Sequence, residues 1–190
     1  MVSTLQYQSY IMKTDSTILL QELLGIAKQD KQSVINLQKL SDAQLNYKPS
    51  PERWSILECL EHLNLYAAFY LPKIEKAVSK EQSPRQIFKS GFFGNKLVNM
   101  VKPVERSKKI KTFKAMDPDG KIVTHEVLNS FLDNHKILIS LIEKAADTNL
   151  NKAAVPVTFT SLIKLRTGDA LRFMVHHHQR HIKQALHINV

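Results

Sequence analysis

Two histidines one helical turn apart, His177 and His181, stand within the segment Phe173-Met-Val-His-His-His-Gln-Arg-His-Ile-Lys-Gln184. On a helix that spacing stacks both imidazoles on one face, where they can reach a single metal ion. The spacing predicts a helix from about Thr167 to His187. Turned at about 3.6 residues per turn, it places Ala170, Phe173, Met174, His177, His181, Gln184, Ala185 and Ile188 on one side. Arg172, His176, Gln179, Arg180, Lys183 and His187 fall on the opposite side, expected to be solvated. His178 sits at the margin with Leu171, Val175 and Ile182. Only His177 and His181 therefore occupy the middle of the apolar stripe. Their ring nitrogens need partners there, and an i, i+4 pair favours a shared metal over two hydrogen-bonded core histidines.

A catalytic zinc-type site takes three protein ligands and keeps one position open. The candidates beyond the pair are His62, His125, His135 and Cys59. His135 lies within the apolar stripe of its own helix. His62 flanks the stripe of another, near its capped start, and Cys59 on roughly that side reads as packing. Periodicity leaves His62 and His135 both open. Glu58, one turn before His62, reads first as a helix cap and second as a partner for the free nitrogen of His62. Gln184 is a candidate to orient a ligand or touch substrate, against a plain buried amide. Tyr66 offers a hydroxyl to substrate, against a packed aromatic. A metalloprotease helix would carry glutamate in His-Glu-x-x-His; position 178 is His178, which argues against that chemistry.

The elements that position these residues are mostly helical. A first long helix is expected from about Ser16 to Leu40, and Ser41 with Gln44 has capping-box spacing for a short turn. Ser55 and Glu58 form a better capping box. They start a second helix that reaches about Ser79, with a kink expected at Pro72. Lys80 to Val123 is less regular, with a short helix around Asn95 to Val101 and turn signals at Gly91 and at Asp117-Pro-Asp-Gly120. A third long helix is expected from Thr124 to Ala146, then an extended stretch from Ala153 to Leu165 ahead of the histidine helix. Four long amphipathic helices predict an all-α, four-helix bundle with one long crossover connection, and 1–190 reads as a single domain.

The bulk composition agrees. The 190 residues are 43% hydrophobic and 23% charged, with one cysteine, Cys59. No apolar run approaches membrane-spanning length and no secretion signal opens the chain. A cytoplasmic protein is expected. The net charge of +10 gathers partly between Lys96 and Lys121, where Lys102, Arg106, Lys108, Lys109, Lys111 and Lys114 face Glu105, Asp117 and Asp119. Such a stretch is more often solvated surface than a nucleic-acid track, and nucleic-acid binding is a minority reading.

The run from Leu40 to Leu63, with Trp54-Ser55, Glu58 and His62-Leu63, resembles the DinB/YfiT-like superfamily of metalloenzymes. His177-xxx-His181-xx-Gln184 resembles that family's second signature, in the last helix of its four-helix bundle. The resemblance covers most of the chain and is weakest over Lys80 to Val123. It implies a divalent metal ion, zinc or nickel, held by His62, His177 and His181, and it decides against His135. It further implies a homodimer acting on a small molecule. The reaction would be a thiol S-transferase joining a low-molecular-weight thiol to an electrophile, or a metal-dependent hydrolase. Three neutral imidazoles leave the ion its full charge, enough to lower the pKa of a bound water to about 7 or to ionise a thiol. The alternatives are a non-catalytic, metal-stabilised bundle and, less favoured, a nucleic-acid-binding protein using the 96–121 stretch.

Overall fold

A computed structural model describes residues 11–80, 83–103, 112–120 and 123–188. Local chemistry sets the helix starts. The Asp15 carboxylate accepts from the amides of Thr17 and Ile18, ending β1 (Lys13–Asp15) and opening α1 (Ser16–Leu37). Ser41 and Gln44 close a capping box on α2 (Asp42–Asn46). Ser55 and Glu58 close another on α3 (Ile56–Val78): the Glu58 amide donates to Ser55 Oγ, and Glu58 Oε2 accepts from the Ser55 amide at 2.7 Å. Each box satisfies amide donors that a helix start otherwise leaves bare. Pro72 lies inside α3, which continues past it to Val78.

The irregular connection contains β2 (Ile87–Lys89) and α4 (Phe92–Val101), one turn longer at its start than the sequence predicts. Strand β2 pairs antiparallel with β1, Thr14 opposite Phe88. After α5 (Glu126–Lys144), the extended stretch folds as an antiparallel hairpin. It comprises β3 (Ala153–Val157) and β4 (Thr160–Arg166), with irregular register around Pro156. Helix α6 (Thr167–Leu186) follows directly.

Helix α6 packs against α1, α3 and α4, and α5 packs against α1 and α3. The four long helices thus form a bundle with α5 diagonal to α6. Two buried clusters give the helix directions. Leu19, Leu23, Ile74, Val78, Leu141, Ile142, Ala170 and Leu171 share one cluster. Val34, Leu37, Ile56, Leu60, Val127, Leu128, Ile182 and Ala185 share the other. So α1 and α6 run one way, α3 and α5 the other. Neighbouring parallel helices α3 and α5 require a connection that travels the length of the bundle, as the long crossover predicts.

The histidine helix differs from its expectation in one respect. Arg172 and His176, expected in solvent, are buried, as is His178. The cause is α4 on the side the helical wheel leaves polar. Asp169, fully buried, accepts from Ser90 Oγ, the Gly91 amide and Arg172 Nη1, tying the start of α4 to the start of α6. A Cβ on Gly94 would fall on the Asp169 carboxylate, so that close approach requires glycine. Arg106, Lys108, Lys109, Lys111 and Lys121 of the basic stretch, with Glu105, lie outside the described residues. Among the described residues no helix is long and apolar enough to cross a membrane.

Candidate metal centre

Helix α3 carries His62 two turns past its cap, and α6 carries His177 and His181 in its second half. The three side chains meet where these helices pack. Each offers one ring nitrogen such that all three nitrogens lie within 4.8 Å of one another, an arrangement that can hold a metal ion. His62 Nε2 and His177 Nε2 are 3.2 Å apart. Two nitrogens each about 2.0–2.1 Å from a tetrahedral zinc would be separated by roughly 3.3 Å, so this pair already has ligand spacing. The residues are 1%, 4% and 9% exposed respectively.

Hydrogen bonds on the far side of two rings select the tautomer. His62 Nδ1 donates to the Met116 carbonyl at 2.7 Å. A neutral His62 therefore presents a bare lone pair at Nε2, the nitrogen that faces His177. His181 Nδ1 donates to Gln184 Oε1 at 3.1 Å, leaving its Nε2 bare as well. His177 Nδ1 is buried and has no partner among the described residues. Without an ion, His177 Nε2–H donates to His62 Nε2 across the 3.2 Å contact; a divalent ion held there would take the place of that shared proton, so the donor set suits a cation.

Electrostatics act in the same sense. Burial pushes His62 down to about 4, against the opposing pull of the Met116 carbonyl and the Asp117 charge. His177 and His181 are held well below the ordinary value, by burial first and then by neighbouring histidines and Arg180. All three are neutral at pH 7, and deprotonated imidazole is the form that ligates metal. Aromatic rings wall the site. Trp54 lies 4.7 Å from His62 and 5.7 Å from His181 by ring centroids, and Tyr66 lies 4.9 Å from His62 and 4.5 Å from His177.

The remaining sequence candidates sit elsewhere. His125 precedes α5 on the surface, beside Asp42 at 3.2 Å. Cys59 packs in the core with its thiol pushed up to about 12 by burial, an inert side chain. Glu58 spends its carboxylate on the Ser55 cap and on Lys48 Nζ at 2.9 Å, and no hydrogen bond joins it to His62 among the described residues. Gln184 touches His181 directly. Tyr66 is buried with its ring against the histidines and its phenol raised by burial.

His135, the rival ligand, joins His178 instead. His135 Nε2 donates to the Ala27 carbonyl at 2.8 Å, so its Nδ1 accepts from His178 Nδ1 at 3.1 Å. That leaves His178 Nε2 bare and without a partner among the described residues. This bond crosses the bundle diagonal from α5 to α6. Met116 is the contributor sequence reasoning missed. It acts through its carbonyl, which every residue type carries, so residue identity gives no signal.

Compared with known proteins, the chain matches the family model of the DinB superfamily over residues 31–185. No curated protein and no solved structure matches it.

Proposed function

The chain belongs to the DinB superfamily, and from that premise we propose that it is a metal-dependent enzyme whose His62, His177 and His181 bind a divalent cation, zinc or nickel, to activate a thiol or water nucleophile. The reaction class is thiol S-transfer or hydrolysis on a small molecule. The observation that carries this reading is the convergence of the three neutral imidazoles with two tautomers already selected for Nε2 ligation.

Each residue has a distinct part. His62, His177 and His181 would hold the cation, Met116 and Gln184 orient two of the rings, and Trp54 and Tyr66 exclude bulk water from them. A divalent ion held there by three neutral imidazoles would supply Lewis acidity toward a thiol or water nucleophile. Exclusion of water strengthens that charge's pull on an anionic nucleophile.

The test begins with metal content. Wild-type protein loaded under metal-replete conditions should retain close to one equivalent, and a His177→Ala/His181→Ala variant far less. Equal, negligible retention by both would end the proposal. Retention then permits a search for turnover with thiol–electrophile pairs and esters. The near-complete burial of the ligands favours a second reading, a metal that only stabilises the bundle. That reading predicts a large drop in melting temperature on chelation and no turnover with any pair or ester.

A further inference from the structure

The segment from Phe113 to Asp119 is fastened to the bundle at both ends, and its middle carbonyl accepts from His62 Nδ1. Phe113 stacks on Phe159, at the tip of the β3–β4 hairpin, with centroids 5.8 Å apart and planes at 30°. Asp119 pairs with Lys48 Nζ at 3.2 Å, and the same Lys48 Nζ pairs with Glu58 at 2.9 Å. Glu58 in turn caps the helix that carries His62. Between these fastenings a short 3-10 turn, Lys114–Met116, directs the Met116 carbonyl at His62 Nδ1, 2.7 Å away.

We propose that Phe113–Asp119 is a tautomer clamp, with Phe113, Phe159 and Lys48 acting as positioning residues that hold His62 in its Nδ1–H form. The physical case is direct. Neutral imidazole in water prefers the Nε2–H tautomer, which would cover the very lone pair that faces His177. An acceptor fixed at Nδ1 reverses that preference and frees Nε2 to accept from His177. Met116 supplies the acceptor, but a loop carbonyl is only as fixed as its loop. Phe113 and Phe159 are each 52% exposed, so their stack contributes little to the core. Its position accounts for it: without the stack, one end of the segment loses its anchor on the hairpin. The Lys48 bridge anchors the other end to the cap of the ligand-bearing helix, so the register between Met116 and His62 is set from both sides.

The metal role of His62 rests on the proposed function, but the tautomer does not, and the experiment separates the two. Long-range proton–nitrogen NMR on metal-free protein at pH 7.5 reports which His62 nitrogen carries the proton. Wild type should show Nδ1–H. Phe159→Ala and Phe113→Ala should show mixed or Nε2–H signals while keeping the far-ultraviolet circular dichroism of the wild type, since both side chains are half exposed. Phe159→Tyr, which keeps the ring, should restore Nδ1–H. Lys48→Gln should loosen the clamp from its other end. Chelator competition with zinc should then show affinity about ten-fold weaker, or more, for the two alanine variants. Leu162→Ala, on the same hairpin but 92% exposed, should change neither readout.

An unchanged Nδ1–H signal in both alanine variants would overturn the clamp. So would zinc affinity within two-fold of wild type in the presence of the altered tautomer. If wild type itself binds neither zinc nor nickel, the proposed function fails, and the NMR result still decides the clamp.

Discussion

Acidification is the perturbation that the histidine arrangement makes most revealing. Six histidines are buried: His62, His135, His176, His177, His178 and His181. Burial lowers His62, His135 and His176 to about 4 from an ordinary 6.5, and holds the other three well below that ordinary value. Below pH 6.5 the unfolded chain therefore binds protons that the folded chain refuses. Stability from these groups is complete above that pH and is lost as pH falls toward the folded values. Between pH 7.5 and pH 5.0 each of the first three costs about 2 kcal/mol, about 6 kcal/mol together. His177, His178 and His181 act in the same direction.

Asp30 works the other way. Burial raises its carboxyl to about 7 from 3.8, with Lys183 opposing, so its contribution is present below pH 3.8 and lost as pH rises through 7. Over the same acidification it returns about 2.5 kcal/mol. From the first three histidines and Asp30 the net loss is then about 3.5 kcal/mol, a large share of the stability of an ordinary domain, about 5–15 kcal/mol. Urea unfolding of metal-free protein, followed by circular dichroism at the two pH values, measures it. A loss below about 1 kcal/mol would show that these imidazoles are solvated or already charged in the folded state, refuting the reasoning.

Further perturbations test other parts of the structure. Asp30→Asn should stabilise the protein by about 1–3 kcal/mol at pH 8, because it removes a buried carboxylate that must ionise, and it should deepen the acid loss above; chemical denaturation reads both. Arg172→Met breaks a buried pair whose partners are 4% and 0% exposed, leaving Asp169 uncompensated at a cost of about 3–5 kcal/mol, visible as a lower urea midpoint. Gly94→Ala should drive α4 from α6 and cost about 1–3 kcal/mol, and hydrogen exchange should show faster exchange across α4. Ser55→Ala removes one half of the α3 cap and should cost about 1 kcal/mol in thermal or urea unfolding.

Much of the bundle is legible because its signals are local. Ser41 and Ser55 with their following amides, and the long amphipathic runs, mark helix starts and inner faces without knowledge of the rest of the chain. The extended stretch at Ala153–Leu165 is similarly legible from Val155, Val157 and Pro156. Long-range pairings are not. Strand β1 finds β2 more than seventy residues away, and the burial of Arg172 depends on Ser90 and Gly91 arriving from the crossover. A helical wheel assigns Arg172 and His176 to solvent because it assumes one covered side, whereas α6 is covered by α1, α3 and α4. Choosing between His62 and His135 also exceeds periodicity, since both lie on inward faces. What separates them is where the inward face leads: α3 lies beside α6, and α5 lies across the diagonal.

That geometry explains why three consecutive histidines serve three environments rather than one. Successive residues on a helix diverge by about 100°, so His176, His177 and His178 cannot converge on a single ion. His176 turns toward α1 and α4, lining a cavity of about 180 Å³ with Leu19, Leu23, Lys102 and Arg172. His177 turns to α3 and meets His62. His178 turns to the diagonal and meets His135. A histidine run in a disordered tail chelates because its backbone can fold the rings together; the same run in a rigid helix distributes them. The ion binding proposed for this segment therefore draws on the i, i+4 partner, His181, and on α3, and it requires the helix to stay folded. Melting α6 should abolish high-affinity binding even though every histidine remains in the chain, which makes metal affinity a report on the packed bundle rather than on composition.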